Sequence, residues 1–178
     1  MAATTENTVL DAERTSLLRV LGEQRDFLRF TLRDLDDAQA AKRTTASELT
    51  LGGLVKHVTL VERNWIRFIR EGAMHDAEVD YEDPSAFEEQ VKSFRLLGDE
   101  TLAGALEDYE RAAEETDRFV AQLPDLEVGH ELPKAPWFPE NTSWSARDVL
   151  LHMIRETAQH CGHADILRES LDGQKTMG

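Results

Sequence analysis

The stretch Ala146-Arg-Asp-Val-Leu-Leu-His-Met-Ile-Arg-Glu-Thr-Ala-Gln-His-Cys-Gly-His-Ala-Asp-Ile-Leu-Arg-Glu-Ser-Leu171 decides the fold. It contains no proline. Ser145 stands before it as an N-cap, and Gly173 follows it in the place of a left-handed helix end, so it reads as one helix of about seven turns. At about 100° per residue, Val149, Met153, Ala164, Leu167 and Leu171 fall on one stripe that must face a core. Glu156 and His160 are centred on the same stripe, and His152 and His163 flank it within about 40°. The buried face is therefore apolar at both ends and polar in the middle.

Three more long helices are predicted upstream. The first spans about 8–33, where Leu10, Leu17, Leu18, Leu21, Leu28 and Leu32 recur at three- and four-residue spacings. The second spans 51–71, capped by Thr50 and stopped at Gly72. The third spans about 101–122, behind Thr101 and ended by Leu123-Pro124. The segment from Asp34 to Ser47 reads as a connector. Residues 73–98 are acidic and less regular, with a short helix expected after Pro84. Four of the five prolines lie between Pro124 and Pro139, so residues 124–143 are expected to form a long ordered loop rather than a helix. No strand alternation or Asn-Gly hairpin signal competes. The expectation is an all-α four-helix bundle with long crossover connections, occupying 1–178 as a single domain.

Composition removes several functions. The formal net charge of −15 repels phosphate, which argues against nucleic acid and against anionic membrane surfaces. No apolar run approaches the roughly 20 residues that a membrane span needs, and the first residues lack the pattern of a signal peptide, so a cytoplasmic location is expected. Cys161 is the single cysteine. An internal disulfide and a cysteine-based zinc knuckle are both excluded, and any metal site must be built from His, Asp and Glu.

The second helix repeats the polar interruption. Leu54, Val61, Trp65 and Phe68 define its buried face, and His57 lies within about 80° of all four. Burying an unpaired carboxylate costs several kcal/mol and an unsatisfied imidazole about 1–3 kcal/mol, and a bound cation offsets both. Residues at i and i+4 project side by side, their Cβ atoms about 5–6 Å apart, so Glu156 and His160 can grip one ion. His57 from a facing helix completes a set of two imidazoles and one carboxylate. That set suits zinc with an open position, or iron, nickel or manganese, and spacing does not choose among them. Spacing alone also leaves open a helix-surface Glu–His pair with half-exposed imidazoles.

The block His152-Met-Ile-Arg-Glu-Thr-Ala-Gln-His-Cys-Gly-His-Ala-Asp, with Leu171-Asp-Gly after it, closely resembles the last helix of the DinB/YfiT-like metalloenzyme superfamily. Leu51-Gly-Gly-Leu-Val-Lys-His-Val-Thr-Leu-Val-Glu-Arg-Asn-Trp65 resembles its second helix. The likeness extends to helix order and the long third connection, and is strongest to the actinobacterial mycothiol-dependent branch, which holds mycothiol S-transferases and maleylpyruvate isomerase. It implies a metal, commonly zinc, on His57, Glu156 and His160. Many superfamily members have His where this chain has Glu156, and the carboxylate is shared with the mycothiol-linked branch. The resemblance further implies thiol chemistry in detoxification: mycothiol as co-substrate, activated at the metal, attacking an epoxide, haloalkane or haloarene.

His163 is the candidate proton shuttle in that reaction, with His152 as the weaker alternative. Candidate substrate contacts are Trp65, Arg168 and Trp137. Arg168 projects about 120° from the core stripe, which also reads as a solvated helix face. Glu62 is placed with Trp65 at the mouth of the site, and the loop holding Trp137, Phe138 and Trp144 is a candidate cover for it. Cys161 lies about 100° from His160 and is assigned no role. A thiol-dependent isomerase and a non-catalytic metal-binding stress protein are the competing readings. The isomerase carries a further C-terminal domain, and this sequence ends soon after its last helix, which points to the transferase. A monomer or homodimer is expected.

Overall fold

Four long helices carry the fold, and each begins on a residue suited to capping it. The computed structural model describes residues 11–74 and 91–176. Helix α1 is Ala12–Thr31, with the Asp11 side chain accepting from the Arg14 N–H. Helix α3, Leu51–Glu71, is capped by Thr50 and closes on Gly72 at φ 73°. Helix α4, Leu102–Gln122, starts on Thr101. Helix α5, Ala146–Asp172, opens with a capping box between Ser145 and Asp148 and closes on Gly173 at φ 78°. Both glycines take the left-handed conformation that a side chain would strain.

Two local elements depart from expectation. Asp37–Ala40 in the first connector forms a one-turn helix, α2, with a capping box between Asp36 and Gln39. In the proline-rich connector, β1 (Gly129–Glu131) pairs antiparallel with β2 (Ser143–Ser145), His130 opposite Trp144. One helical turn and three-residue strands are too short to imprint a periodicity. Gly129 is required where the strands meet, since a Cβ there would stand 2.3 Å from the Trp144 carbonyl oxygen. The start expected for the first helix, 8–10, lies outside the described residues, as does most of the short helix expected after Pro84; residues 91–93 are helical.

Contacts between helices give their directions. Arg25 meets Asp117 and Arg29 meets Glu110, so α1 and α4 run antiparallel. Lys56 meets Glu100 and Arg63 meets Asp108, so α3 and α4 run parallel. Arg168 of α5 reaches the Thr31 carbonyl at the end of α1, while Arg147 reaches Glu13 at its start, so α1 and α5 run parallel. The order is up, down, down, up. A parallel α3–α4 pair forces the chain between them back along the bundle, which is why that connection is long.

The core divides into two apolar clusters. One gathers Leu21, Trp65, Phe68, Ile69, Val120, Val149, Leu150 and Met153; the other gathers Leu28, Leu51, Leu54, Val58, Tyr109, Ala164 and Leu167. Each fully buried aliphatic or aromatic side chain contributes about 1.5–3 kcal/mol, so these clusters hold the bundle together. Between them, at one level on every long helix, lie Arg25, Glu62, Thr116, Thr157 and His160, all buried. The polar interruption read on two helices is thus a layer crossing the whole bundle.

Candidate metal centre

Within that layer α3 and α5 pass antiparallel, which brings His57 from the second turn of α3 against Glu156 and His160. Glu156 Oε1 lies 3.3 Å from His160 Nε2 and 3.9 Å from His57 Nε2. One donor atom from each of the three lies within 4.8 Å of the others. A tetrahedral ion with N and O ligands at about 2.0–2.2 Å sets neighbouring donors about 3.4 Å apart. The Glu156–His160 edge already has that length, and the Glu156–His57 edge is longer, at 3.9 Å. Side-chain exposure falls from 25% at Glu156 to 12% at His57 and 8% at His160. The Glu156 edge is therefore the side from which a small molecule can reach the cluster.

Electrostatics suit a cation. Hydrogen bonding from His160, then from His57, holds the Glu156 carboxyl well below the usual carboxylate range against the opposing effect of burial. Burial pushes the His57 imidazole down, so it is neutral at pH 7. An ionised carboxylate beside an imidazole that burial keeps neutral is a donor set that attracts a divalent ion. Among the described residues this is the group of His, Cys, Asp and Glu side chains that satisfies the geometry of an ion site.

The outer nitrogens of both imidazoles also have neighbours. His160 Nδ1 lies 3.3 Å from His163 Nδ1, one turn along α5. His57 Nδ1 lies 3.3 Å from Ser93 Oγ, and the His57 ring stacks on Phe94 at 3.9 Å with 20° between the planes. Ser93 and Phe94 belong to the α3–α4 crossover, and nothing in the helix spacing marks them. The signal that was available is Gly52-Gly53 at the start of α3. A Cβ on Gly53 would stand 1.7 Å from the Phe94 carbonyl oxygen, and one on Gly52 would stand 2.5 Å from Leu96. Paired glycines on a helix face announce a close approach of another segment.

The remaining residues singled out in the sequence occupy other places. His152 lies outside the three-residue cluster, its ring 4.8 Å from Trp65 and 5.1 Å from Trp144. Its Nδ1 accepts an N–H from Arg155 at 2.7 Å. Burial, outweighing Glu156, pushes its pKa down. Trp65 is buried, stacked on Trp144 at 4.9 Å and edge-on to Phe68 and Phe138. Trp137 is 57% exposed at the tip of the proline-rich connector.

Two expectations need correcting. Arg168 is not on a solvated face: it is 1% exposed, donates to the Thr31 and Arg33 carbonyls, and pairs with Asp172. It ties the end of α5 to the end of α1, eight residues beyond His160. Glu62 is not at the mouth of the site either. It is 3% exposed and engages Arg25 of α1. A helix wheel places Glu62 near the apolar face but does not say which neighbour it meets. His130 Nε2 donates to the Ile69 carbonyl at 3.1 Å and so pins β1 to α3; His75 lies outside the described residues. Cys161 faces the Gln24 carbonyl of α1 at 3.3 Å, and burial raises its thiol pKa to about 11.

A mycothiol-S-transferase family model matches residues 16–173. The chain belongs to that family. With it comes the DinB/YfiT-like type of fold expected from the two helical blocks. Among curated proteins none matches. A solved structure described as a conserved protein from Enterococcus faecalis is similar over 93% of this chain and 100% of its own, with a TM-score of 0.64 and 13% identity. That likeness extends to the fold of this family member alone. Among the described residues no helix is long and apolar enough to cross a membrane.

Proposed function

We propose that this chain is a metal-dependent thiol S-transferase, with His57, Glu156 and His160 holding one divalent cation and mycothiol as the thiol substrate. The observation that carries the reading is the convergence of these three donors, His160 buried and the other two part-buried, in a mycothiol-S-transferase family member. Zinc is the first choice of ion, since two imidazoles and a carboxylate leave it an open position; iron, nickel and manganese accept the same donors. A divalent ion in this place supplies Lewis acidity that lowers a thiol pKa from its free value of about 8.5.

The chain's own residues do the rest. His57 and His160 are largely shielded from water and Glu156 is the most exposed of the three, so entry is from its side. The thiol sulfur gives up its proton and bonds to an electrophilic carbon, while a halide leaves or an epoxide C–O bond opens and its oxygen takes a proton. His163, whose Nδ1 faces His160, is the nearer proton carrier; His152 stands one turn before Glu156 on α5. The exposed Trp137 is an apolar contact for the electrophile. Trp65 and Arg168 are committed to packing and to the α1–α5 junction, so substrate contact is not proposed for them.

The test is turnover by purified, zinc-loaded protein with mycothiol and monochlorobimane, followed as thiol loss and thioether formation. Metal-dependent thioether formation, lost in His57→Ala and Glu156→Ala, supports the transferase. Isomerisation of maleylpyruvate with thiol unchanged replaces it by the isomerase reading. No reaction of either kind with one ion bound per chain overturns catalysis and leaves a metal-binding protein.

A further inference from the structure

We propose that Ser93 is a positioning residue for the metal centre: its hydroxyl, delivered by the α3–α4 crossover, holds His57 so that Nε2 faces Glu156 and His160. The inference rests on the metal reading above and concerns a residue outside the three ligands. An imidazole binds an ion through one nitrogen only when its proton sits on the other, and metal-bound histidines nearly always donate that second N–H to an acceptor. In His57 the inward nitrogen is Nε2, 3.9 Å from Glu156 Oε1, and the outward one is Nδ1, 3.3 Å from Ser93 Oγ. A hydroxyl suits this place because it accepts from Nδ1–H when a cation occupies Nε2 and can donate to Nδ1 when one does not.

The placement is built by the surrounding chain. Phe94 lies face to face with the His57 ring and blocks it from turning out of plane. The Phe94 carbonyl accepts from Thr50 Oγ1 at 3.3 Å, and the Arg95 carbonyl accepts from Lys56 Nζ at 3.3 Å. The backbone turns of 91–95 are closed by Phe94 N–H to the Val91 carbonyl and Arg95 N–H to the Lys92 carbonyl, each at 3.2 Å. Gly53 leaves the room for this segment to lie on the first turn of α3. Ser93 is thereby carried to a ligand 36 residues away in sequence. His160 is served differently, by His163 on its own helix. One imidazole is oriented locally and the other only by the tertiary fold.

The test measures zinc affinity by competition with a chromophoric chelator, together with the melting temperature of the metal-free protein, for wild type, His57→Ala, Ser93→Ala and Ser93→Thr. Ser93→Ala is expected to bind zinc about tenfold or more weakly, the range usual for lost outer partners. Its metal-free melting temperature should match wild type, and Ser93→Thr should restore affinity to within about threefold of wild type. The Co(II)-loaded Ser93→Ala protein should also show a shifted visible spectrum, a readout of ligand geometry that does not depend on activity. Wild-type affinity in Ser93→Ala, with zinc lost in His57→Ala, overturns the proposal and leaves the metal centre standing. Equal weakening in Ser93→Ala and Ser93→Thr with a lowered metal-free melting temperature also overturns it, as a packing defect. A wild-type chain that binds no zinc overturns the metal reading and this proposal with it.

Discussion

Arg25 and Glu62 form an ion pair sealed inside the bundle, with Arg25 Nε 3.3 Å from Glu62 Oε2 and both side chains under 5% exposed. The pair lies in the polar layer that also holds His160, so one stratum of the core carries both a structural charge pair and the candidate site. Desolvating two charges costs about as much as their attraction returns, but removing one partner strands the other. Arg25→Met, which leaves the buried Glu62 carboxylate without this cation, is therefore expected to lose about 3–5 kcal/mol of unfolding free energy, while Arg25→Met with Glu62→Leu loses far less or gains. Urea denaturation of the metal-free proteins decides it, and an Arg25→Met chain as stable as wild type contradicts the pair's burial.

The two glycine environments make opposite predictions. Gly53→Ala drives a Cβ into the Phe94 backbone, where the built distance is 1.7 Å. Overpacking of this kind costs about 1–3 kcal/mol, and here it also pushes Ser93 and Phe94 off His57, so zinc affinity should fall with stability. Gly22, inside α1, has nothing within 4 Å of an added Cβ. Gly22→Ala should raise stability by about 0.5–1 kcal/mol and leave zinc affinity unchanged. Thermal melts and the chelator titration read both effects.

Glu156 gives the metal-free chain an acid-sensitive contribution. Its folded pKa is lowered, chiefly by His160, from the unfolded value near 4.5. A lowered carboxyl stabilises the fold fully above the unfolded value and progressively less as pH falls toward the folded one. The stability difference between wild type and Glu156→Gln should therefore be constant near neutrality and shrink below about pH 4.5. A difference that stays level down to pH 3 would show that the carboxylate is not held by the two imidazoles.

Cys161 should be inert in the native protein. Burial raises its pKa to about 11, so at pH 8 on the order of one thiol in a thousand is ionised, against about one in four for a free cysteine. Iodoacetamide at pH 8 is expected to modify the chain only after denaturation. Native labelling at the rate of free cysteine would refute this and reopen a covalent role for the residue.

Much of the fold was legible because helix ends and buried stripes are local properties. Thr50, Gly72, Thr101, Ser145 and Gly173 bound their helices as their chemistry requires, and Val149, Met153, Ala164 and Leu167 face the core as their spacing requires. The pairing of Glu156 with His160 is likewise local, since residues four apart on a helix are neighbours wherever the helix goes.

Where two elements had to meet, helical periodicity was silent and tertiary structure decided. Helical phase places Glu62 and Arg168 on faces, but not the partner each face meets: Arg25 for the first, the end of α1 for the second. Ser93 and Phe94 show the limit most plainly. They have no periodic signal, and they reach His57 only because α3 and α4 run parallel and the chain must return along the bundle. A helical period records the direction of a side chain around its own axis. The distance to a residue on another helix is set by how the whole chain packs.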